Sequence, residues 1–139
     1  MHRATIVSTG PHYAHRVEAN GHVLTTDEPP ALGGANAGPA PFDLYLASLA
    51  ACTAITLRMY AEKKGWDLGT FQAELVLGHD AATGKTTVHR RLHATGTLDD
   101  AQWQRLLEIV ANTPVTKVMR EGALITSERV IAPGIGSDA

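Results

Sequence analysis

The first third of the chain reads as strands. Tyr13 to Ala19 and His22 to Thr26 flank Asn20-Gly21, a dipeptide that tolerates the positive φ angles of a two-residue hairpin turn. Ala4 to Val7 supplies an earlier strand able to pair with them. The pattern breaks at Asp27-Glu28-Pro29 and at the glycine and proline loop LGGANAGPAP. From Pro41 to Lys64 it predicts one long helix, about 36 Å at 1.5 Å per residue. Proline loses nothing at a first helical position, where its missing N–H would be unpaired anyway. Lys63 and Lys64 suit the carboxyl-terminal end, and Gly65 is the stop. The first four turns are apolar on nearly every side, which is the pattern of a helix buried all round. A chain of 139 residues can hardly wrap such a helix alone, so a second subunit is expected to cover part of it.

Phe71 to Gly78 and Thr86 to Thr95 read as a second hairpin. Asp99 with Gln102 three residues on is a capping-box pattern, and Trp103, Leu106, Leu107 and Val110 follow at helical spacing. Pro114 opens a short helix to about Arg120, Gly122 ends it, and Leu124 to Ile131 contains a last strand. The order βββ-α-ββ-αα-β, built from hairpins, predicts an α+β fold with antiparallel sheets.

The 44% hydrophobic content supports a single domain, assigned to residues 1–131, with 132–139 as a flexible carboxyl-terminal tail. A net charge of −2 without a basic cluster argues against nucleic acid and against an anionic membrane as partners. The apolar run between Asp43 and Arg58 is 14 residues and includes Ser48, Thr53 and Thr56, short of the roughly 17–25 of a membrane span. MHRATIVSTG lacks the long apolar stretch of a secretory leader, which points to a cytoplasmic location. That fits a chain with one cysteine, Cys52, and hence no internal disulfide.

Cys52 carries the candidate chemistry. Helical spacing puts Tyr45, Ser48, Thr56 and Met59 on its stripe. The dipole of its own helix fades within the first turn, and Cys52 lies about three turns in, so an activating cation must come from elsewhere. The alternative is a cysteine acting as a small buried hydrophobe. His12 with His15, and His89 with His93, have no compact third and fourth ligand, so no metal and no cofactor is expected. His22 can line a site mouth, and Arg58 with Glu62 at i, i+4 reads as a surface ion pair.

The segment Gly33 to Trp66, reading GGANAGPAPFDLYLASLAACTAITLRMYAEKKGW, resembles the signature of the OsmC/Ohr family, and Asp27-Glu28-Pro29 and Gly65-Trp66 are similar to its OsmC-like branch. The resemblance implies an OsmC-like fold, with antiparallel sheets packed around a long central helix in an intertwined homodimer. It implies thiol chemistry on organic hydroperoxides or hydrogen peroxide, with Cys52 as nucleophile, Asp43 in the acidic position and Arg16 as the assisting arginine. Asp43 stands nine residues before Cys52, about half a turn out of phase, so a contact needs a bend or a partner chain. Thr113, in AlaAsnThrProValThr, stands where the family's second, resolving cysteine would be. A hydroxyl cannot form a disulfide, so an external thiol must reduce the oxidised sulfur. The expected function is therefore a one-cysteine peroxidase, with Tyr45, Ser48, Thr56, His22 and Thr113 lining the pocket. The alternative is a non-catalytic module that binds a small apolar ligand on the same scaffold.

Overall fold

A computed structural model describes residues 1–131 and divides the chain, read above as one domain, into two compact units. Of the described residues, Met1–Leu44 forms one unit together with 125–131, and Tyr45–Leu124 forms the other. The expected tail, 132–139, lies outside the described residues.

In the first unit, β1 (Ala4–Ser8), β2 (His15–Ala19) and β3 (His22–Thr26) form an antiparallel sheet in chain order. Ile6, Val17 and Leu24 stand in register across it. Asn20 and Gly21 take φ of 51° and 79°, the pair of left-handed residues that a tight hairpin turn requires. Strand β2 starts two residues later than its apolar pattern suggested, because Pro11 to Ala14 closes a turn through the Ala14 N–H and the Pro11 carbonyl. Past β3, Asp27 is 3% exposed and accepts N–H groups from Glu28 (2.8 Å), Ala35 (3.1 Å) and Ala37 (3.1 Å). The Ala37 bond, then the Glu28 bond, holds its carboxyl below the ordinary carboxylate range; burial opposes them, and the Ala35 bond adds to them. One buried carboxylate thus fixes the glycine and alanine loop that delivers the chain to helix α1 (Pro41–Lys64).

In the second unit, α1 buries Leu49, Thr53, Leu57 and Ala61, a single i, i+4, i+8, i+12 stripe. The expectation of burial all round is thus corrected for one chain: Ile55 and Met59, off that stripe, are 55% and 66% exposed. The 24-residue helix does reach the length and apolar content of a membrane span, contrary to the count between Asp43 and Arg58. Its buried stripe is packed inside the protein, where Leu57 and Ala61 join Leu68, Leu106 and Val110 in the core. Strands β4 (Phe71–His79) and β5 (Thr86–Ala94) make an antiparallel hairpin. Phe71, Ala73, Leu75 and Leu77 of β4, and Val88, Arg90, Leu92 and Ala94 of β5, occupy the more buried alternate positions. Arg90 is the one charged residue in that set.

Helix α2 (Asp100–Val110) begins with the expected capping box. The Asp99 carboxylate accepts the Gln102 N–H at 2.7 Å, and the Gln102 side chain accepts the Asp99 N–H at 2.8 Å. Helix α3 (Pro114–Glu121) is capped by Thr113, whose hydroxyl accepts the Thr116 N–H at 3.2 Å. Two expectations fail here. Arg58 donates to the Gly69 carbonyl instead of pairing with Glu62. Leu124 to Ile131 holds no strand, because a strand needs a second edge for its N–H and C=O groups and these residues meet none. Leu124 and Ile125 are 97% and 84% exposed.

Candidate functional site

Cys52 sits midway along α1, partly buried and one position before the buried Thr53. Thr56, one turn on, brings its hydroxyl to 3.8 Å from the sulfur, as the stripe predicted. The other groups come from the α2–α3 corner. The Thr113 hydroxyl and the Val115 backbone N–H, at the amino-terminal end of α3, both act on the thiol as hydrogen-bonding groups that favour its ionised form. Burial pushes the thiol up. Thr113, Val115, Thr56 and the Arg90 charge outweigh it and leave Cys52 below the usual thiol range.

Arg90 was not among the sequence candidates. Its Nη1 donates to Thr53 Oγ1 at 3.0 Å and to Thr116 Oγ1 at 3.2 Å, and its Nη2 donates to the Val110 carbonyl at 2.8 Å. Burial pulls its own pKa down while a charge on Cys52 raises it. The guanidinium stays charged because its ordinary value lies so far above neutral pH. A signal for it existed in the sequence: in Val88-His-Arg90-Arg-Leu92-His-Ala94, an arginine occupies the apolar phase of a strand, where a charge needs partners. Thr113 was read as the place of a lost thiol, and its N-cap role placed the α3 terminus at the sulfur.

The other expected residues are distributed as follows. Ser48 donates to the Tyr45 carbonyl at 2.7 Å. Arg16, on β2, pairs with Glu18 at 3.3 Å, both about half exposed. His22, the first residue of β3, is exposed. Asp43 accepts the Ala40 N–H at 2.9 Å and so serves the start of α1. Arg16, His22 and Asp43 belong to the first unit; Cys52, Tyr45, Ser48, Thr56 and Thr113 belong to the second. Among the described residues, no three His, Cys, Asp or Glu side chains are placed to hold a metal ion.

A half-buried thiol with two hydroxyls, a backbone N–H and a guanidinium around it can persist as a thiolate and act as a nucleophile. A family model described as OsmC-like protein matches residues 33–128. Among solved structures, an OsmC-like protein from Mycoplasma pneumoniae superposes with a TM-score of 0.68 at 16% identity, covering 86% of this chain and 87% of that one. An organic hydroperoxide resistance protein OsmC from Legionella pneumophila gives 0.64 at 24% identity, with 86% and 89% covered. The organic hydroperoxide resistance protein OhrB of Bacillus subtilis gives 0.57 at 22% identity, with 86% and 90% covered. No curated protein matches the chain.

Proposed function

Because the chain belongs to the OsmC-like protein family, we propose that it is a thiol-dependent peroxidase of the stress response that works with one cysteine, as a cytoplasmic homodimer. The observation that carries this reading is the set of donors around Cys52, which favours the thiolate over the thiol. The names of the Legionella and Bacillus structures, both organic hydroperoxide resistance proteins, support organic hydroperoxides as the substrate class.

In the proposed reaction the Cys52 thiolate attacks the distal peroxide oxygen. An S–O bond forms and the O–O bond breaks. The transferred oxygen brings its proton, so the sulfur, oxidised by two electrons, becomes a sulfenic acid. The leaving alkoxide takes a proton from water and departs as the alcohol, and the hydroxide left behind takes the sulfenic proton to give the sulfenate and water. A first external thiol converts the sulfenic acid to a mixed disulfide and releases water. A second thiol displaces the first and restores Cys52. Thr113 supplies no sulfur for an internal route. Arg16 is the proposed residue for orienting the peroxide, with Asp43 in support and Tyr45, Ser48, His22 and Thr56 lining the substrate pocket.

The test is consumption of an organic hydroperoxide at a fixed concentration of dithiothreitol. Wild type should turn over repeatedly, Cys52→Ser should not, and Arg16→Ala should be slower. A wild type no faster than Cys52→Ser ends the peroxidase reading. The second reading, a module that binds a small apolar ligand without chemistry, is favoured by the hydroxyl of Thr113 standing in the resolving position.

A further inference from the structure

We propose that Thr113, Thr116 and Arg90 form a reversible hydroxyl relay that carries the guanidinium's positive charge to the Cys52 sulfur, so that Thr113 stabilises the thiolate it cannot cross-link. The proposal deepens the peroxidase reading and rests on Cys52 as the working thiolate.

Counting protons carries the argument. Each threonine hydroxyl has one proton to give and two lone pairs to receive with. Thr113 Oγ1 and Thr116 Oγ1 are 2.6 Å apart, and either can be the donor. Thr116 Oγ1 is also 3.1 Å from the Val110 carbonyl, to which it can donate. Two arrangements satisfy every atom. In the first, Thr113 donates to Thr116 and Thr116 donates to Val110; neither of these two hydroxyls has a proton left for the sulfur, which suits a neutral thiol. In the second, Thr113 donates to the sulfur, Thr116 donates to Thr113, and the Val110 carbonyl keeps the Arg90 Nη2 bond of 2.8 Å. Arg90 Nη1 donates to Thr116 Oγ1 in both. The second arrangement lines up N–H, O–H and O–H dipoles head to tail from a fixed cation to an anionic sulfur, and hydrogen bonds in such a chain polarise one another.

The surroundings fit a relay held in place. Thr113 is 2% exposed, its Oγ1 also accepts the Thr116 N–H, and Arg90 is anchored on the far side by Thr53 of the cysteine helix itself. Among the described residues, no buried side-chain nitrogen or oxygen lacks a partner. Two other cations on the packed elements are engaged elsewhere: Arg91 points to the other face of β5 and pairs with Glu74 at 3.2 Å, and Arg120 donates to the Ala111 carbonyl at 3.0 Å; Lys117, beside Thr116 on α3, is exposed. Thr113 is the member of the relay that acts on the thiol itself, whereas Thr116 and Arg90 act through it and are positioning residues.

The experiment is the pH profile of iodoacetamide alkylation of Cys52, read on intact protein by mass spectrometry. The wild-type midpoint should lie below the roughly 8.5 of a free cysteine. Thr113→Val and Thr116→Val should each raise it by about one unit, which cuts the thiolate fraction at neutral pH by up to about tenfold. Thr113→Ser should restore the wild-type midpoint, and Arg91→Ala should not move it. Arg90→Met should raise it as well. Should that variant fail to fold by circular dichroism, Thr116→Val, which leaves the guanidinium in place, decides. Wild-type midpoints in both valine variants overturn the relay, even if their melting temperatures fall. Because alkylation needs no peroxide, the two readings fail separately: shifted midpoints without hydroperoxide turnover end the peroxidase alone, and turnover with unshifted midpoints ends the relay alone.

Discussion

The Val115 backbone N–H favours the ionised form of Cys52, so a thiol about three turns inside its own helix is influenced by the amino-terminal end of another. The unpaired N–H groups and partial positive charge of that end favour an anion there. Below its usual range in the native state, the thiol releases its proton on folding at pH values between the folded and unfolded midpoints. Its contribution to stability is therefore full above the unfolded value, near 8.5, and lost as pH falls through the folded one. Alkylation in native buffer and in urea should give two midpoints, with the native one lower. Coincident midpoints would remove the premise.

A thiol introduced by Thr113→Cys would stand where a hydroxyl already acts on the Cys52 thiol. Peroxide treatment of that variant should yield an internal disulfide and shield Cys52 from further oxidation. Wild type under excess peroxide should accumulate sulfinic and sulfonic acid. Mass spectrometry of the two proteins after the same exposure checks this. Recovery of oxidised wild type without any added thiol would contradict it.

Ile55, Met59 and Phe42 of α1 are exposed in one chain, together with Leu124, Ile125 and Ile131. Apolar surface in that amount calls for a partner, and a second copy of the chain is the proposed one. Light scattering at micromolar concentration should give twice the 14.8 kDa of the chain. Ile55→Lys should shift the species toward monomer. A wild-type monomer would refute the dimer.

Leu57 and Leu106 are both 0% exposed and meet in the core that holds α1 against α2. Leu106→Ala should cost about 2–5 kcal/mol of stability, from lost transfer energy and the cavity left behind. Urea denaturation of the variant and wild type measures it. A loss below about 1 kcal/mol would show that the site collapses to fill the space.

Asp27, held below the carboxylate range chiefly by the Ala37 and Glu28 N–H groups, stabilises the fold fully above the unfolded value near pH 4. That contribution fades as pH falls through the lower native value. Asp27→Asn should destabilise at neutral pH and flatten the acid limb of the urea midpoint against pH. An unchanged acid limb would place the titration elsewhere.

Local signals made most of the fold legible. Pro41 and Gly65 bounded the long helix, Asn20-Gly21 set the first hairpin, and Asp99 with Gln102 announced α2, because each acts within a few residues. Thr56 beside Cys52 was readable for the same reason, one turn away on the same helix. What escaped was non-local. Arg90 is 38 positions from Cys52 and Val115 is 63, so no spacing rule joins them to the sulfur; only the packing of β5 and α3 does. The last strand was misread because Leu124 to Ile131 has strand composition, yet a strand exists only where another edge receives it.

From Gly33 to Ala37 the loop carries only small side chains apart from Asn36, and the carboxylate of Asp27 does much of the shaping. Its tolerance of substitution should therefore be uneven in a way that side-chain size alone would not suggest. Ala35 and Ala37 are exposed and offer Asp27 only their N–H groups, so any residue but proline can stand there. Gly34 is the opposite case: a β-carbon on it would lie 1.9 Å from the Glu28 carbonyl oxygen, so even alanine is barred. A saturation library from Asp27 through this loop would yield a sharp map, open at the two alanines and closed at Asp27 and Gly34.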